Sequence, residues 1–85
     1  MYFVYLLQHT ETKEKYIGST SDLKRRLAEH NNGQQASTRR MKGEWKVIYA
    51  EIFRVKSDAC ARELKLKQNA RGRQELYKRI PASFL

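Results

Sequence analysis

The chain has 85 residues, room for one compact domain over 1–85 and not for a second with its own core. Lys and Arg number 18 against 9 Asp and Glu, a net charge of +9, so polyanions are drawn to it, with nucleic acid ahead of an anionic membrane or an acidic protein. A lone cysteine, Cys60, excludes an intrachain disulfide and a thiolate zinc cluster, and the apolar run 2–7 is too short for a membrane span or a signal-peptide core. These features fit a reducing cytoplasm.

Tyr2-Phe3-Val4-Tyr5-Leu6-Leu7 is a continuous apolar, aromatic and β-branched run, the pattern of a strand buried on both faces. A polar connection leads to a short second strand over 15–19, paired with the first as a hairpin. A period of two puts Phe3, Tyr5 and Leu7 on one face, and Tyr16 and Gly18 together on one face. Whether those faces coincide depends on register, which the sequence leaves open.

Ser19-Thr20-Ser21-Asp22 offers several helix caps, and Ser19 with Asp22 makes a weak capping-box match. The spacing predicts a helix over 23–31 with Leu23, Leu27, Arg26 and His30 on one stripe, while Lys24, Arg25 and Glu29 point elsewhere. Asn31-Asn32-Gly33 ends it. Residues 34–44 read as a polar, basic loop. Residues 45–53 form the strongest strand signal and are expected at or near the sheet centre, with Trp45, Val47, Tyr49 and Phe53 on one face and Ile48, Ala50 and Ile52 on the other. A helix capped by Ser57 or Asp58 is predicted to run to 68, with Ala59, Cys60, Glu63, Leu64 and Leu66 near one broad face. Gly72 breaks the pattern, a last helix spans about 73–80, and Pro81 stops it. The fold class is α+β, in the order ββαβαα.

Two charged residues sit where the pattern asks for apolar ones: Arg26 on the inward stripe of the first helix and Glu63 among the inward positions of the second. They can simply pair with each other or extend to the sheet edge. In company with Tyr5, Tyr16 and His30 they also make a set suited to phosphodiester hydrolysis. Glu63 can hold one hydrated divalent ion, Arg26 can neutralise a phosphoryl oxygen, and a phenol or imidazole can move the water proton if a nearby cation lowers the phenol's pKa. Thr38, Arg39, Arg40 and Lys42 form a loop able to grip phosphates, and Arg62, Lys65, Lys67, Arg71 and Arg73 form a second basic cluster. No base-reading motif is visible.

Phe3-Val4-Tyr5, Tyr16-Ile17-Gly18 and the block Ser19-Thr20-Ser21-Asp22-Leu23-Lys24-Arg25-Arg26-Leu27-Ala28-Glu29-His30-Asn31 resemble the motifs of the GIY-YIG nuclease superfamily. The likeness is to small stand-alone bacterial members related to the catalytic N-terminal domain of the excinuclease, and so to DNA-repair nucleases. Trp45-Lys46-Val47-Ile48-Tyr49 and Lys56-Ser57-Asp58-Ala59-Cys60-Ala61-Arg62-Glu63 resemble its third strand and metal-binding helix. The resemblance implies a three-stranded antiparallel sheet flanked by helices, and endonuclease activity with Tyr5 as general base and Tyr16 supporting the water or a phosphate oxygen. It further implies Arg26 on the scissile phosphate, His30 assisting, and Glu63 binding one Mg²⁺ or Mn²⁺. DNA is the implied substrate, RNA a further one, and a protein partner would supply targeting. The alternative is a nucleic-acid-binding module with little turnover. The family's first-motif glycine is replaced by Phe3, and Asn69 stands at the wrong spacing for the family's downstream asparagine.

Overall fold

The computed structural model describes residues 1–33 and 42–85. Its elements are β1 (Tyr2–His9), β2 (Lys15–Thr20), α1 (Leu23–Asn31), β3 (Trp45–Phe53), α2 (Lys56–Gln68) and α3 (Ala70–Arg79), followed by a 3₁₀ turn, Pro81–Ser83. All three strands pair antiparallel in the order β2-β1-β3. The expected α+β class and the order ββαβαα are both observed.

β1, not β3, is the central strand, which corrects the expectation from strand length. The reason is two-sided burial. Val4 and Leu6 enter one apolar cluster with Ile17, Ala59, Leu66 and Leu76, and Tyr5 and Leu7 enter the other with Trp45, Leu23 and Leu27. α2 and α3 therefore cover one face of the sheet and α1 the other. β3 lies at an edge and leaves Ile52 62% exposed, which an edge strand tolerates.

Strict alternation also fails along β3. Leu7 lies opposite Val47 and Leu6 opposite Tyr49, so Ile48 is an extra residue in a bulge between Leu6 and Leu7. Beyond it the faces exchange: Trp45 and Val47 join the α1 side, whereas Ile48, Tyr49 and Phe53 join the α2–α3 side.

The helix ends differ from expectation at three points. Asp22 caps α1 by accepting from the Arg25 amide at 3.0 Å, and Ser19 takes no part, so the capping-box reading is wrong. Val55 is the N-cap of α2 without a side-chain bond, leaving Ser57 and Asp58 inside the first turn, where Asp58 complements the helix dipole. α3 starts before Gly72 because Asn69 accepts the Gly72 amide at 3.0 Å. That capping bond replaces the break predicted there. Cys60 and Leu64, expected inward on α2, are exposed.

β3 is tied to α2 by a polar cluster. Arg62 donates to both Glu51 oxygens at 2.8 and 3.0 Å, and Tyr49 donates to the same carboxylate at 2.7 Å. Burial pushes the Glu51 carboxyl up, but the Arg62 and Tyr49 bonds outweigh it and hold it below the ordinary 4.5. A depressed carboxylate stabilises the fold above its unfolded value and loses that contribution as pH falls through the folded value. Glu51→Gln is accordingly expected to cost about 1–3 kcal/mol at neutral pH. In denaturant titrations the gap from wild type should close as pH falls below 4.5. A gap that persists in acid would contradict this.

Candidate active site

The site begins with strand register. Tyr5 pairs with Gly18 and Leu7 with Tyr16, so the two faces left open by the sequence coincide and both tyrosines lie on the α1 side. Gly18 is required by close approach. A Cβ placed there would collide with the Tyr5 hydroxyl and stand 2.7 Å from the phenol carbon bearing it. The Tyr5 ring thus crosses the backbone of β2, with Tyr16 tilted beside it at 6.4 Å between centroids.

α1 supplies the next two groups. Leu23 and Leu27 seat it on the sheet, and Asn31 fixes its far end by accepting the Trp45 amide at 2.7 Å and donating to the Trp45 carbonyl at 3.1 Å. This side-chain amide docks on β3 as a further strand would. One residue earlier, His30 is buried and its Nε2 lies 2.9 Å from the Tyr5 hydroxyl. The imidazole also meets the Tyr16 ring edge-on at 4.8 Å. One turn back, Arg26 bonds Glu29 through Nη1 at 3.1 Å and faces the Tyr5 phenol. Glu29, expected to point elsewhere, thus orients Arg26.

Electrostatics separate these groups. Burial pushes the Tyr5 phenol up, and although Arg26 pulls it down by hydrogen bond and charge, burial prevails and the pKa is raised above 10.0. The condition set for a phenol acting through a lowered pKa is therefore not met at Tyr5: Arg26 does lower it, but a nearly solvent-free phenolate loses more hydration than one guanidinium returns. His30 moves the other way: burial first and Arg26 second lower it below 6.5, against a smaller pull from Glu29. It is therefore neutral at neutral pH.

Glu63 arrives from the opposite face of the sheet, on α2, and reaches the site around the β2 edge. Ser19 donates to its Oε1 at 2.5 Å and Lys67 holds its Oε2 at 2.7 Å. Burial pushes this carboxyl up, but Lys67, Ser19 and the Arg26 charge together bring it below the ordinary value. Lys67 also lies over the Tyr16 ring, 5.6 Å from its centroid. An unbroken series of contacts therefore runs from Glu63 through Lys67, Tyr16 and His30 to Tyr5, with Arg26 beside its inner end.

All five of the residues singled out in the sequence are brought together, though not as one open concave surface. Tyr5 and His30 are each 1% exposed, and Tyr16, Arg26 and Glu63 cover them on the outside at intermediate exposure. Thr38, Arg39 and Arg40 lie outside the described residues, and Lys42 is exposed beside them. In the second basic cluster Arg62 is bound to Glu51, and Arg73 caps the end of α2 by donating to the Leu66 and Lys67 carbonyls. Both side chains are thereby tied into the fold. Asn69 is a helix cap. Sequence reasoning missed Ser19, which period two places beside Ile17 on the side facing α2. It also missed that Lys67 stands four residues from Glu63 and on the same helix face.

Among the described residues no group of three or more His, Cys, Asp or Glu side chains converges. Glu63 is nonetheless suited to a hard, largely hydrated cation: it is ionised, and both its oxygens are already directed at a cation or an O–H donor.

Substitution of the glycines tests the close approach. Gly18→Ala is expected to force the Tyr5 ring aside at a cost of about 1–3 kcal/mol. Gly72→Ala, whose Cβ would meet Asn69 atoms at 3.5 to 3.7 Å, should be neutral or stabilising by up to about 1 kcal/mol. Equal melting temperatures for the two variants would contradict this reading.

Comparison with known proteins agrees with the fold. The family model described as the GIY-YIG catalytic domain matches residues 1–78. A UPF0213 protein of Streptococcus pneumoniae is 43% identical over 60 residues, covering 71% of this chain and 61% of the relative, so the chain spans about three-fifths of that protein's length. UPF0213 protein VNG_2274C of Halobacterium salinarum is 36% identical, covering 88% of this chain and 96% of the relative. The solution NMR structure of UPF0213 protein BH0048 from Bacillus halodurans superposes with a TM-score of 0.56 at 28% identity, covering 92% of this chain and 84% of that one. With the family model matched over residues 1–78 and the fold shared with a UPF0213 structure, this chain belongs to the GIY-YIG catalytic-domain family.

Proposed function

We propose that the chain is a divalent-metal-dependent endonuclease that hydrolyses phosphodiester bonds in DNA. The observation that carries this reading is the convergence of Tyr5, Tyr16, Arg26, His30 and Glu63 from four elements, within a family of nucleases. The net charge of +9 favours a polyanionic substrate.

In this reading Arg26 binds a non-bridging oxygen of the scissile phosphate. Its guanidinium stays charged because its hydrogen bond to Tyr5 outweighs its burial, helped by the bond to Glu29. Tyr5 and His30 handle the proton as a pair. The Tyr5 oxygen takes a proton from the attacking water while its own proton passes along the 2.9 Å hydrogen bond to Nε2 of neutral His30. No free phenolate is formed, which suits a phenol whose pKa is raised. Tyr16 packs against the imidazole and orients the water. Glu63 would hold one Mg²⁺ or Mn²⁺, with Ser19 fixing the carboxylate. When bound, that ion supplies charge neutralisation at the phosphoryl group and acidifies its water ligands.

Cleavage of single-stranded, duplex and branched DNA and of RNA, with Mg²⁺, Mn²⁺ or a chelator, tests the proposal. Metal-dependent cutting of DNA by wild type is expected, with loss in Glu63→Ala and a decline of about 100-fold or more in Arg26→Ala. Binding without cutting on every substrate would make the protein a nucleic-acid-binding module instead. Cutting retained in Glu63→Ala would remove the metal assignment.

The pH profile is a separate test of the proton path. His30 acts while neutral and its pKa lies below 6.5, so kcat/KM should hold level as pH falls to 6.5 and decline only beneath it. His30→Ala is expected to lower the rate by about 100-fold and to remove that acid limb. An acid limb retained unchanged in His30→Ala would assign it to another group.

A further inference from the structure

Glu63 is held with both oxygens engaged. Ser19 fixes Oε1 from β2, and the Lys67 ammonium sits on Oε2 at 2.7 Å. Ser19 is a neutral donor that can remain while the carboxylate binds something else. Lys67 is a full positive charge at the oxygen a divalent cation would seek, and two cations cannot share it without strong repulsion.

Lys67 also has somewhere else to go. Its side chain is 43% exposed, twice the exposure of the carboxylate it holds. It borders a groove along the β2 edge lined by Lys15, Tyr16, Ile17, Arg73 and Tyr77. Lys15 lies over the Tyr77 and Phe84 rings, 5.5 and 5.3 Å from their centroids, at the other side of that groove. The groove thus gathers Lys15, Lys67 and Arg73 next to the site, a charge pattern complementary to one phosphate backbone.

We propose that Lys67 is an exchangeable counter-ion: it holds Glu63 ready in the metal-free protein and moves to a substrate phosphate in the β2-edge groove when a divalent cation takes its place. This inference rests on Glu63 being the metal-holding residue. Its consequence is thermodynamic coupling. A nucleic-acid strand that draws Lys67 off Glu63 raises metal affinity, and metal raises strand affinity by the same factor. Lys67 is on this account a positioning residue, not a catalytic one.

The test is calorimetric titration of Mn²⁺ into intact protein, with and without a short single-stranded phosphorothioate DNA, for wild type, Lys67→Met, Lys67→Arg and Glu63→Gln. Circular dichroism melts would confirm that each variant is folded. Lys67→Met without DNA should bind Mn²⁺ about tenfold more tightly than wild type. DNA should tighten Mn²⁺ binding to wild type and to Lys67→Arg but have little effect on Lys67→Met. Equal Mn²⁺ affinity in wild type and Lys67→Met, with Glu63→Gln unable to bind, would overturn the exchange and leave the metal assignment standing. An unchanged DNA effect in Lys67→Met would likewise overturn it. Mn²⁺ binding by Glu63→Gln equal to that of wild type, or no binding by wild type and Lys67→Met alike, would overturn the metal assignment and this inference together.

Discussion

Tyr5 reaches His30 across a stretch of β2 that has no side chain in the way. The pairing of β1 with β2 sets Tyr5 opposite Gly18, and a single added carbon there would occupy the space of the phenol. That close approach lets a buried tyrosine on the central strand extend towards the helix packed above it. Much else serves the same end. The Asp22 cap and the Asn31 clamp hold α1 at its two ends, so His30 meets the phenol at hydrogen-bond distance.

The site is divided by burial into two parts with different electrostatics. The inner part, Tyr5 and His30, has lost its water, which raises the phenol and lowers the imidazole. Both effects favour neutral partners joined by one hydrogen bond in the resting site, a geometry suited to passing a proton from water to the imidazole without forming a free phenolate. The outer part, Arg26, Glu63 and Lys67, keeps enough solvent contact to carry charge and is laced by ion pairs with Glu29 and within α2. Arg26 meets Tyr5 directly from α1, whereas Glu63 comes from a helix on the far side of the sheet and approaches around the β2 edge.

Most of the fold was legible because each element carried its own periodicity. The two-sided apolar run of β1, the Leu23–Leu27 stripe and the Pro81 stop all read correctly. So did the inward phase of Arg26, His30 and Glu63, since a polar residue on an apolar stripe is visible without a structure. What was illegible depended on non-local pairing. The Ile48 bulge reverses the faces of β3 without leaving a mark on its alternation, and the rank of β1 over β3 depends on which helices cover which face. Asn69 capping overrode the break expected at Gly72. Ser19 looked like a capping residue, and only the packing of α2 beside β2 turns it to Glu63. The raised Tyr5 pKa was missed because a sequence shows a nearby arginine but not the depth of burial.

The central claim is that Tyr5 and His30 act as one proton-handling unit, and a double-mutant cycle on single-turnover cleavage measures that most directly. Tyr5→Phe, His30→Ala and the double variant would be compared under one metal and one DNA substrate. Residues acting as a unit give non-additive losses, so the double variant should be scarcely slower than the worse single one. Losses that multiply, with the double variant slower by the product of the two single effects, would contradict the claim and make the 2.9 Å hydrogen bond a packing contact.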